Sequence, residues 1–143
     1  MYQSLDLDFV VTFRRTTRDV GKILVPLGFG LRGQTFHHDV NRFTIDFPKG
    51  PLMVGADRIE RWDTVRRNDE TLNVLSRTDC VRDRLAAFYH WSDRSSLATA
   101  CDVAARGDID LEVIRAWSGR ENASDKYAEF ERVRALRRKP RRS

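Results

Sequence analysis

The chain has 143 residues, of which 41% are hydrophobic and 33% are charged, and its formal net charge is +5. This length allows one domain with a hydrophobic core, and the composition excludes a disordered chain. No apolar run approaches membrane-spanning length, and no secretory signal pattern opens the chain, so we expect a cytoplasmic protein without membrane contact. Cys80 and Cys101 fall in helical patterns, and we expect buried free thiols rather than a disulfide.

The N-terminal half alternates polar and apolar residues, a pattern typical of half-buried strands. In residues 4–11, Asp6 and Asp8 occupy one face of the expected strand and apolar residues occupy the other, buried face. Residues 43–47 repeat the pattern with Asp46 on the polar face. The two segments are therefore predicted to be strands with their apolar faces in the core.

A helix and further strands are expected around the second of these segments. The helix begins at Thr16 or Thr17, either of which can cap it, and ends near Leu27. Three short strands are expected at residues 29–37, 52–54 and 71–75. A turn after the first of these makes it the antiparallel partner of the Asp46 strand.

The C-terminal half has helical periodicity. Four helices are expected, because each segment combines apolar residues at helical spacing with a polar residue near its start. Their starts are expected at Ser76 or Thr78, and near Asp93, Asp110 and Ser124. Strands followed by helices predict an α+β fold, in which a small mixed or antiparallel sheet carries a C-terminal helical bundle packed on it. We expect one domain, with a sheet part at about 1–75, a helical part at about 76–139 and a basic tail at 140–143.

Asp6, Asp8 and Asp46 would converge on one patch of the sheet if their strands are neighbours. Carboxylates that close repel each other unless a cation lies among them, and hard oxygen donors suit Mg²⁺ or Mn²⁺. These positions therefore predict a metal site. The alternative is that all three are exposed residues on the polar faces of amphipathic strands.

These segments carry a resemblance to a known group of enzymes. Asp6-Leu7-Asp8-Phe9 resembles the Asp-x-Asp strand of the DNA polymerase beta type nucleotidyltransferase superfamily, and Ile45-Asp46-Phe47 resembles its third carboxylate. Residues 75–91, with the sequence LSRTDCVRDRLAAFYHW, resemble a helix of small bacterial nucleotidyltransferase-like proteins. Those proteins are related to the AbiEii and MNT types of toxins and antitoxins. The similarity covers about residues 4–130.

The resemblance implies a sheet of nucleotidyltransferase type and metal-dependent transfer of a nucleoside monophosphate to RNA or protein. It implies that Asp6, Asp8 and Asp46 are the metal-binding and catalytic positions, with Asp46 activating the attacking hydroxyl. It further implies that Arg82 and Arg84 face the nucleotide. The alternative for these arginines is local ion pairing, such as Asp79 with Arg82.

One feature of the superfamily is missing before the first strand. Its members carry a Gly-Ser or Gly-Gly turn upstream of Asp-x-Asp that binds the phosphates, whereas only Met1, Tyr2 and Gln3 precede the strand segment here. The chain is therefore expected to be N-terminally truncated relative to the family, to bind nucleotide weakly and to have impaired catalysis. Loss of a strand also predicts an open sheet edge, covered by a second copy or a partner protein.

Basic residues concentrate near the C-terminus, at Arg132, Arg134, Arg137, Arg138, Lys139, Arg141 and Arg142. Such a cluster predicts contact with RNA or DNA phosphates, and the alternative is a solvated helix end. The sequence therefore leaves three functions open. They are a nucleotidyltransferase-like enzyme, a catalytically degenerate member that binds a partner as antitoxins do, and a basic nucleic-acid-binding module.

Overall fold

The computed structural model of this protein describes residues 5–11 and 16–138, which belong to two compact units, 1–52 and 53–143. Small sheets precede a set of helices, so the predicted α+β class is confirmed. No helix in the described ranges is both long and apolar enough to cross a membrane.

The first unit is built on a four-stranded sheet with the order β1-β4-β3-β2. Its strands are β1 (Asp6–Asp8), β2 (Phe29–Arg32), β3 (Thr35–His38) and β4 (Thr44–Asp46). β1 and β4 are parallel neighbours, whereas β4 pairs antiparallel with β3, and β3 with β2. The expected antiparallel pairing of the Asp46 strand with the strand before it is therefore confirmed.

The segment expected to be one strand over residues 29–37 is a hairpin instead. β2 and β3 pair with each other from Phe29↔His38 to Arg32↔Thr35. Gly33, in the turn between them, has a φ of +66°, a left-handed conformation that glycine adopts without steric cost. The chain can therefore reverse at this glycine, and the sheet has four strands where three were expected.

The helix of the first unit, α1, covers Thr17–Leu24 and continues into a single 3-10 turn, Val25–Leu27. A capping box begins α1: the N–H of Asp19 donates to Thr16 Oγ1 at 3.3 Å, and the N–H of Thr16 donates to Asp19 Oδ2 at 3.0 Å. The start and end predicted from the sequence agree with these bounds.

The core of the first unit is small. Phe36 and Ile45 are its buried hydrophobic residues among those described, with 1% and 6% of their surfaces exposed. The apolar face of the segment 4–11 was expected to be buried, but Leu5, Leu7 and Val11 remain 38%, 45% and 37% exposed. The physical reason is that β1 is a short strand at the end of the sheet and pairs with one neighbour among the described strands, so apolar side chains there have fewer residues to pack against.

The second unit begins with two hairpins. Their strands are β5 (Met53–Val54), β6 (Asp57–Arg58), β7 (Asp63–Arg67) and β8 (Glu70–Val74). β5 pairs with β6 and β7 with β8, both antiparallel. The expected strands at residues 52–54 and 71–75 correspond to β5 and β8, while β6 and β7 lie in a polar stretch that gave no strand pattern.

Four helices complete the second unit: α2 (Arg77–Trp91), α3 (Arg94–Ala104), α4 (Leu111–Arg120) and α5 (Ser124–Arg138). Three of the expected polar residues cap them: Ser76 accepts from the N–H of Asp79, Asp93 from Ser95, and Asp110 from Glu112 and Val113. The interior between these helices is filled by large apolar side chains, including Leu85, Phe88, Ile114, Trp117 and Phe130. The predicted helical half is confirmed.

Candidate functional site

The three carboxylates singled out from the sequence are carried by neighbouring strands of the first unit. In the parallel pairing of β1 and β4, Asp8 lies opposite Asp46 and Asp6 lies opposite Thr44. Residues paired across a sheet share a face, and so do alternate residues of one strand. The register therefore gives Asp6, Asp8 and Asp46 the same face of the sheet, which is the arrangement that the strand pattern predicted.

The environments of these carboxylates differ. Asp6 and Asp8 are exposed, whereas Asp46 is half-buried and its Oδ1 accepts a hydrogen bond from Thr35 Oγ1 at 2.5 Å. Thr35 lies opposite Asp46 on β3. Because this donor holds one oxygen of Asp46 in place, the other oxygen is the one through which Asp46 could meet a cation together with Asp8.

A complete ligand set is not preformed around these strands. In residues 5–11 and 16–138, no group of three or more His, Cys, Asp or Glu side chains is placed to hold a metal ion. Asp8 and Asp46 are neighbours across the two strands and could together bind one cation. Water would complete its coordination, as it often does at Mg²⁺ sites. The metal-binding role of the three carboxylates stays a prediction.

Arg82, expected to face a nucleotide, is buried in the second unit. Its Nη1 donates to Asp79 Oδ1 at 2.7 Å, its Nη2 donates to Asp57 Oδ2, and its guanidinium carbon lies 5.1 Å from the centre of the Trp117 ring. The same Asp57 oxygen accepts from Arg120 Nη2 at 2.7 Å. The alternative of ion pairing with Asp79 is therefore present, and this guanidinium is not presented to a ligand in solvent.

Arg84, the other arginine expected to face a nucleotide, lines an open groove of about 640 Å³. Its side chain is 41% exposed, and its Nη2 donates to Asp83 Oδ2 at 2.6 Å. Trp91 lies in the same groove with 77% of its surface exposed. The groove thus contains a guanidinium that is paired with Asp83, together with an exposed aromatic ring that can stack on a base.

Glu121 is a largely buried acidic residue that lines this groove. Its side chain is 9% exposed, its Oε1 accepts from the N–H of Ala56 at 3.0 Å, and its Oε2 lies 3.5 Å from His90 Nε2. Gly55 has a φ of +57°, and a Cβ there would lie 2.5 Å from Glu121 Oε1. Glycine adopts this left-handed conformation without steric cost, and its lack of a Cβ leaves room for the carboxylate of Glu121, 66 positions later in the chain.

The expected nucleic-acid-binding residues fall at the end of α5. Arg137 is held within the second unit, since its Nη1 donates to the carbonyl of Ala98 at 3.1 Å and to Asp102 Oδ1 at 2.5 Å. Arg134 is half-buried. Arg138 ends the helix, and nothing is described of its side chain. Lys139, Arg141 and Arg142 lie outside the described residues.

Several residues of these sites escaped the sequence analysis. Asp57 and Arg120 join the network of Arg82, and Glu121 joins the groove of Arg84, although none stood out in the chain. Asp57 lies in residues 57–70, a polar stretch with no clear strand or helix pattern. Glu121 lies at the end of a helix, and acidic residues are common on protein surfaces, so it gave no signal. Gly55 was the one available signal, because a glycine after a short strand marks a turn or a close approach.

Comparison with known proteins adds no relative to this description. No protein-family model matches the chain, and the searches of curated proteins and of solved structures likewise give no match.

Proposed function

We propose that this chain is a nucleotidyltransferase-like protein in which Asp8 and Asp46, with Asp6 beside them, hold a divalent cation against the phosphates of a nucleotide. The observation that carries the proposal is the parallel register of β1 and β4, which sets Asp8 opposite Asp46 on the face that Asp6 shares. Mg²⁺ and Mn²⁺ fit this site because hard carboxylate oxygens on adjacent strands can share one ion that retains water ligands.

In this proposal the carboxylates have distinct chemical roles. Asp6 and Asp8 are exposed and can reach a metal ion that binds the phosphate, whereas Asp46 is oriented by Thr35 and is the carboxylate best placed to accept a proton from an attacking hydroxyl. The metal would neutralise charge that develops on the phosphate. The resemblance of both strand segments to the Asp-x-Asp and third-carboxylate strands supports these assignments.

Calorimetry with Mn²⁺ tests the cation site. The variants Asp8→Asn and Asp46→Asn should each weaken Mn²⁺ binding about tenfold or more, because each removes one anionic ligand. Asp39→Asn, which changes an exposed carboxylate in a turn of the same unit, is the matched control. Equal Mn²⁺ affinities in all four proteins would refute the assignment.

Within the second unit, we propose the groove lined by Arg84 and Trp91 as a separate contact for a nucleotide. Arg84 would contact phosphate and Trp91 would stack on the base. Because Trp91 is largely exposed, ATP should quench its fluorescence, and Arg84→Ala should raise the half-saturating ATP concentration relative to Arg106→Ala, an exposed control. A response that is the same in both variants would remove Arg84 from the nucleotide site.

Partner binding at β1 is a second candidate function. β1 is an end strand of the described sheet; Leu7 on it is 45% exposed, and Leu5, directly before it, is 38% exposed. An exposed strand edge with apolar side chains is a template for pairing with another chain, as the degenerate, antitoxin-like alternative requires. Leu7→Lys should lower the mass of any complex in light scattering, whereas Val40→Lys, at a fully exposed turn position, should not. Equal effects of the two variants would contradict this candidate.

A further inference from the structure

The hairpin of β7 and β8 lies open to solvent. All residues of β7 and all but the last residue of β8 are exposed, and the two strands form a sheet of their own. On one face, Val65 lies opposite Leu72 with exposures of 53% and 47%. An isolated two-stranded hairpin is marginally stable in water, and it gains stability when a third strand or an apolar surface covers it.

The register of the hairpin determines which residues of β7 direct their backbone N–H and C=O groups towards its outer edge. Arg67 and Glu70 flank a two-residue turn, and residues in that position form a hydrogen-bonded pair. Since the backbone direction alternates along a strand, Val65 and Asp63 also point their N–H and C=O groups towards β8. Thr64 and Arg66 then point theirs outward, which leaves two donors and two acceptors along the open edge.

The sequence of β7 is complementary to itself when it is read antiparallel. Centred on Val65, a second copy sets Asp63 opposite Arg67, Thr64 opposite Arg66, and Val65 opposite itself. Both charged pairs of this register are attractive. In this register the outward-facing backbone N–H and C=O groups of Thr64 in one copy bond to those of Arg66 in the other. The charged side chains and the backbone hydrogen bonds therefore favour the same register.

We propose that β7 is a homodimerisation edge, at which two copies of this chain pair antiparallel about a two-fold axis through Val65. The two hairpins then form one four-stranded sheet with the order β8-β7-β7-β8. Residue 65 meets its counterpart as a non-hydrogen-bonded pair, where side chains approach most closely. Such a contact is isologous and closed, so it yields a dimer rather than a fibre.

The dimer gathers the apolar residues of the hairpin into one row. Leu72 and Val65 of one copy continue into Val65 and Leu72 of the other, on the same face of the joined sheet. Arg67 already lies opposite Glu70 within its own hairpin, so each Arg67 gains a second carboxylate in Asp63 of the other copy. The apolar row is therefore flanked on both sides by alternating charges.

Other occupants of this edge fit less well. The hairpin has three carboxylates against two guanidinium groups, at Asp63, Asp69, Glu70, Arg66 and Arg67, so it offers no attraction to a polyanion. The edge of β8 lacks self-complementarity, because the antiparallel pairing centred on Leu72 sets Glu70 opposite Val74. A second β7 is the occupant that satisfies both the charges and the backbone.

Charge reversal tests the dimer with a built-in rescue. Asp63→Arg alone and Arg67→Asp alone each create two like-charged pairs, and each should raise the dimer dissociation constant about tenfold or more. An equimolar mixture of the two variants restores both attractive pairs and should dimerise as the unchanged chain does. The double variant with both reversals should also dimerise. Sedimentation velocity from about 10 µM to about 1 mM suits a small edge interface.

Cysteine trapping tests the register. Val65→Cys places two thiols on Cα atoms about 4.5 Å apart, within the range that a disulfide spans, so oxidation should link two chains. Leu72→Cys is the matched control on the same face, because its two copies lie three strand spacings of about 4.8 Å apart. Circular dichroism checks that every variant retains its fold.

The results of these dimerisation experiments can be distinguished from those of the cation and nucleotide experiments. Dimers that weaken in each single charge variant and return in the mixture support the proposal. A monomer at all concentrations would overturn it, and so would single variants that dimerise unchanged or a mixture that fails to restore the dimer. Linking of Leu72→Cys chains as readily as Val65→Cys chains would overturn the register. None of these results depends on metal or nucleotide binding.

Discussion

Arg82 shows how one buried charge can organise the second unit. It lies on α2, pairs with Asp79 of the same helix and with Asp57 of β6, and packs on the ring of Trp117. A guanidinium that is 7% exposed has lost most of its hydration, and its partners must compensate for that loss. Arg84, two residues later, has 41% of its side chain in solvent and pairs with its sequence neighbour Asp83.

Replacement of Arg82 should therefore be far more costly than replacement of Arg84. We expect Arg82→Ala to lower the free energy of unfolding by about 3 kcal/mol, because Asp79 and Asp57 lose a shared partner. Arg84→Ala, the control on the same helix, should cost about 1 kcal/mol or less. Urea unfolding monitored by circular dichroism measures both values. Equal losses would show that the Arg82 network contributes no more than a surface pair.

Asp93 makes the stability of the cap of α3 depend on pH. Hydrogen bonds from the Ser96 and Ser95 hydroxyl groups lower the pKa of Asp93 from 3.8 to about 2. A carboxyl whose pKa is lower in the folded chain contributes stability above its ordinary pKa, and this contribution is lost as the pH falls through the folded value. The window for this group is therefore about pH 4 to about pH 2.

We expect Ser96→Ala to narrow that window. Ser96 Oγ donates to Asp93 Oδ2 at 2.6 Å, so its removal should let the pKa of Asp93 rise towards the ordinary value. NMR titration of the Asp93 carboxyl carbon in both proteins measures the change. Thr99→Ala, which removes a hydroxyl on α3 that bonds to the Ser95 carbonyl, is the control and should leave the titration unchanged. A Ser96→Ala titration that overlays the unchanged protein would contradict the stated cause.

At the scale of elements, α5 carries the basic cluster and also holds α3. Arg137 bonds to the carbonyl of Ala98 and to Asp102, and its side chain is 41% exposed. Its guanidinium therefore already has an anionic partner within the chain, which reduces what the described part of the cluster offers to nucleic acid. Lys126, nearer the start of α5, donates to the carbonyls of Phe88 and Tyr89.

We expect weak and equal RNA and DNA binding by the full chain and by a chain that ends at Arg132. If the cluster did bind phosphates, about five contacts would lower the binding constant several hundredfold between about 50 and 200 mM salt. A salt titration of both proteins distinguishes these results. A steep salt dependence seen only in the full chain would restore the nucleic-acid function. Arg137→Gln, which should cost less than about 1 kcal/mol of stability, controls for loss of the contact with α3.

At the scale of the whole molecule, the two units differ in how much apolar surface they bury. Phe36 and Ile45 are the buried hydrophobic residues described in the first unit, whereas the second buries side chains from β5 and all four of its helices. Burial of apolar surface is the main favourable term in folding, so the second unit should be the more stable one.

Amide hydrogen exchange should reveal this difference. We expect the slowest exchange in α2 to α5 and faster exchange in β1 to β4, because local opening of the first unit exposes less apolar surface. The hairpin of β7 and β8 should exchange fastest within the second unit at low protein concentration. Protection of β1 to β4 equal to that of the helices would contradict the expected difference.

The sequence by itself determined the α+β class, the helix starts and the face shared by Asp6 and Asp8. These follow from local rules: Ser76, Asp93 and Asp110 cap helices through neighbouring N–H groups, and the parity of Asp6 and Asp8 needs only the alternation of a strand. The prediction of a single strand over residues 29–37 was wrong for an equally local reason, since Gly33 adopts a left-handed conformation at which the chain reverses.

Only the tertiary structure decided which groups meet. The parallel pairing that sets Asp8 opposite Asp46, the union of Arg82 with Asp57, and the contact of Gly55 with Glu121 all join residues far apart in the chain. Burial was likewise decided by neighbours, since Leu7 follows the same alternation as Ile45 but lies on an end strand and stays exposed. The local pattern of polar and apolar residues predicts the two faces of a strand or helix, whereas long-range packing determines which residues each face contacts.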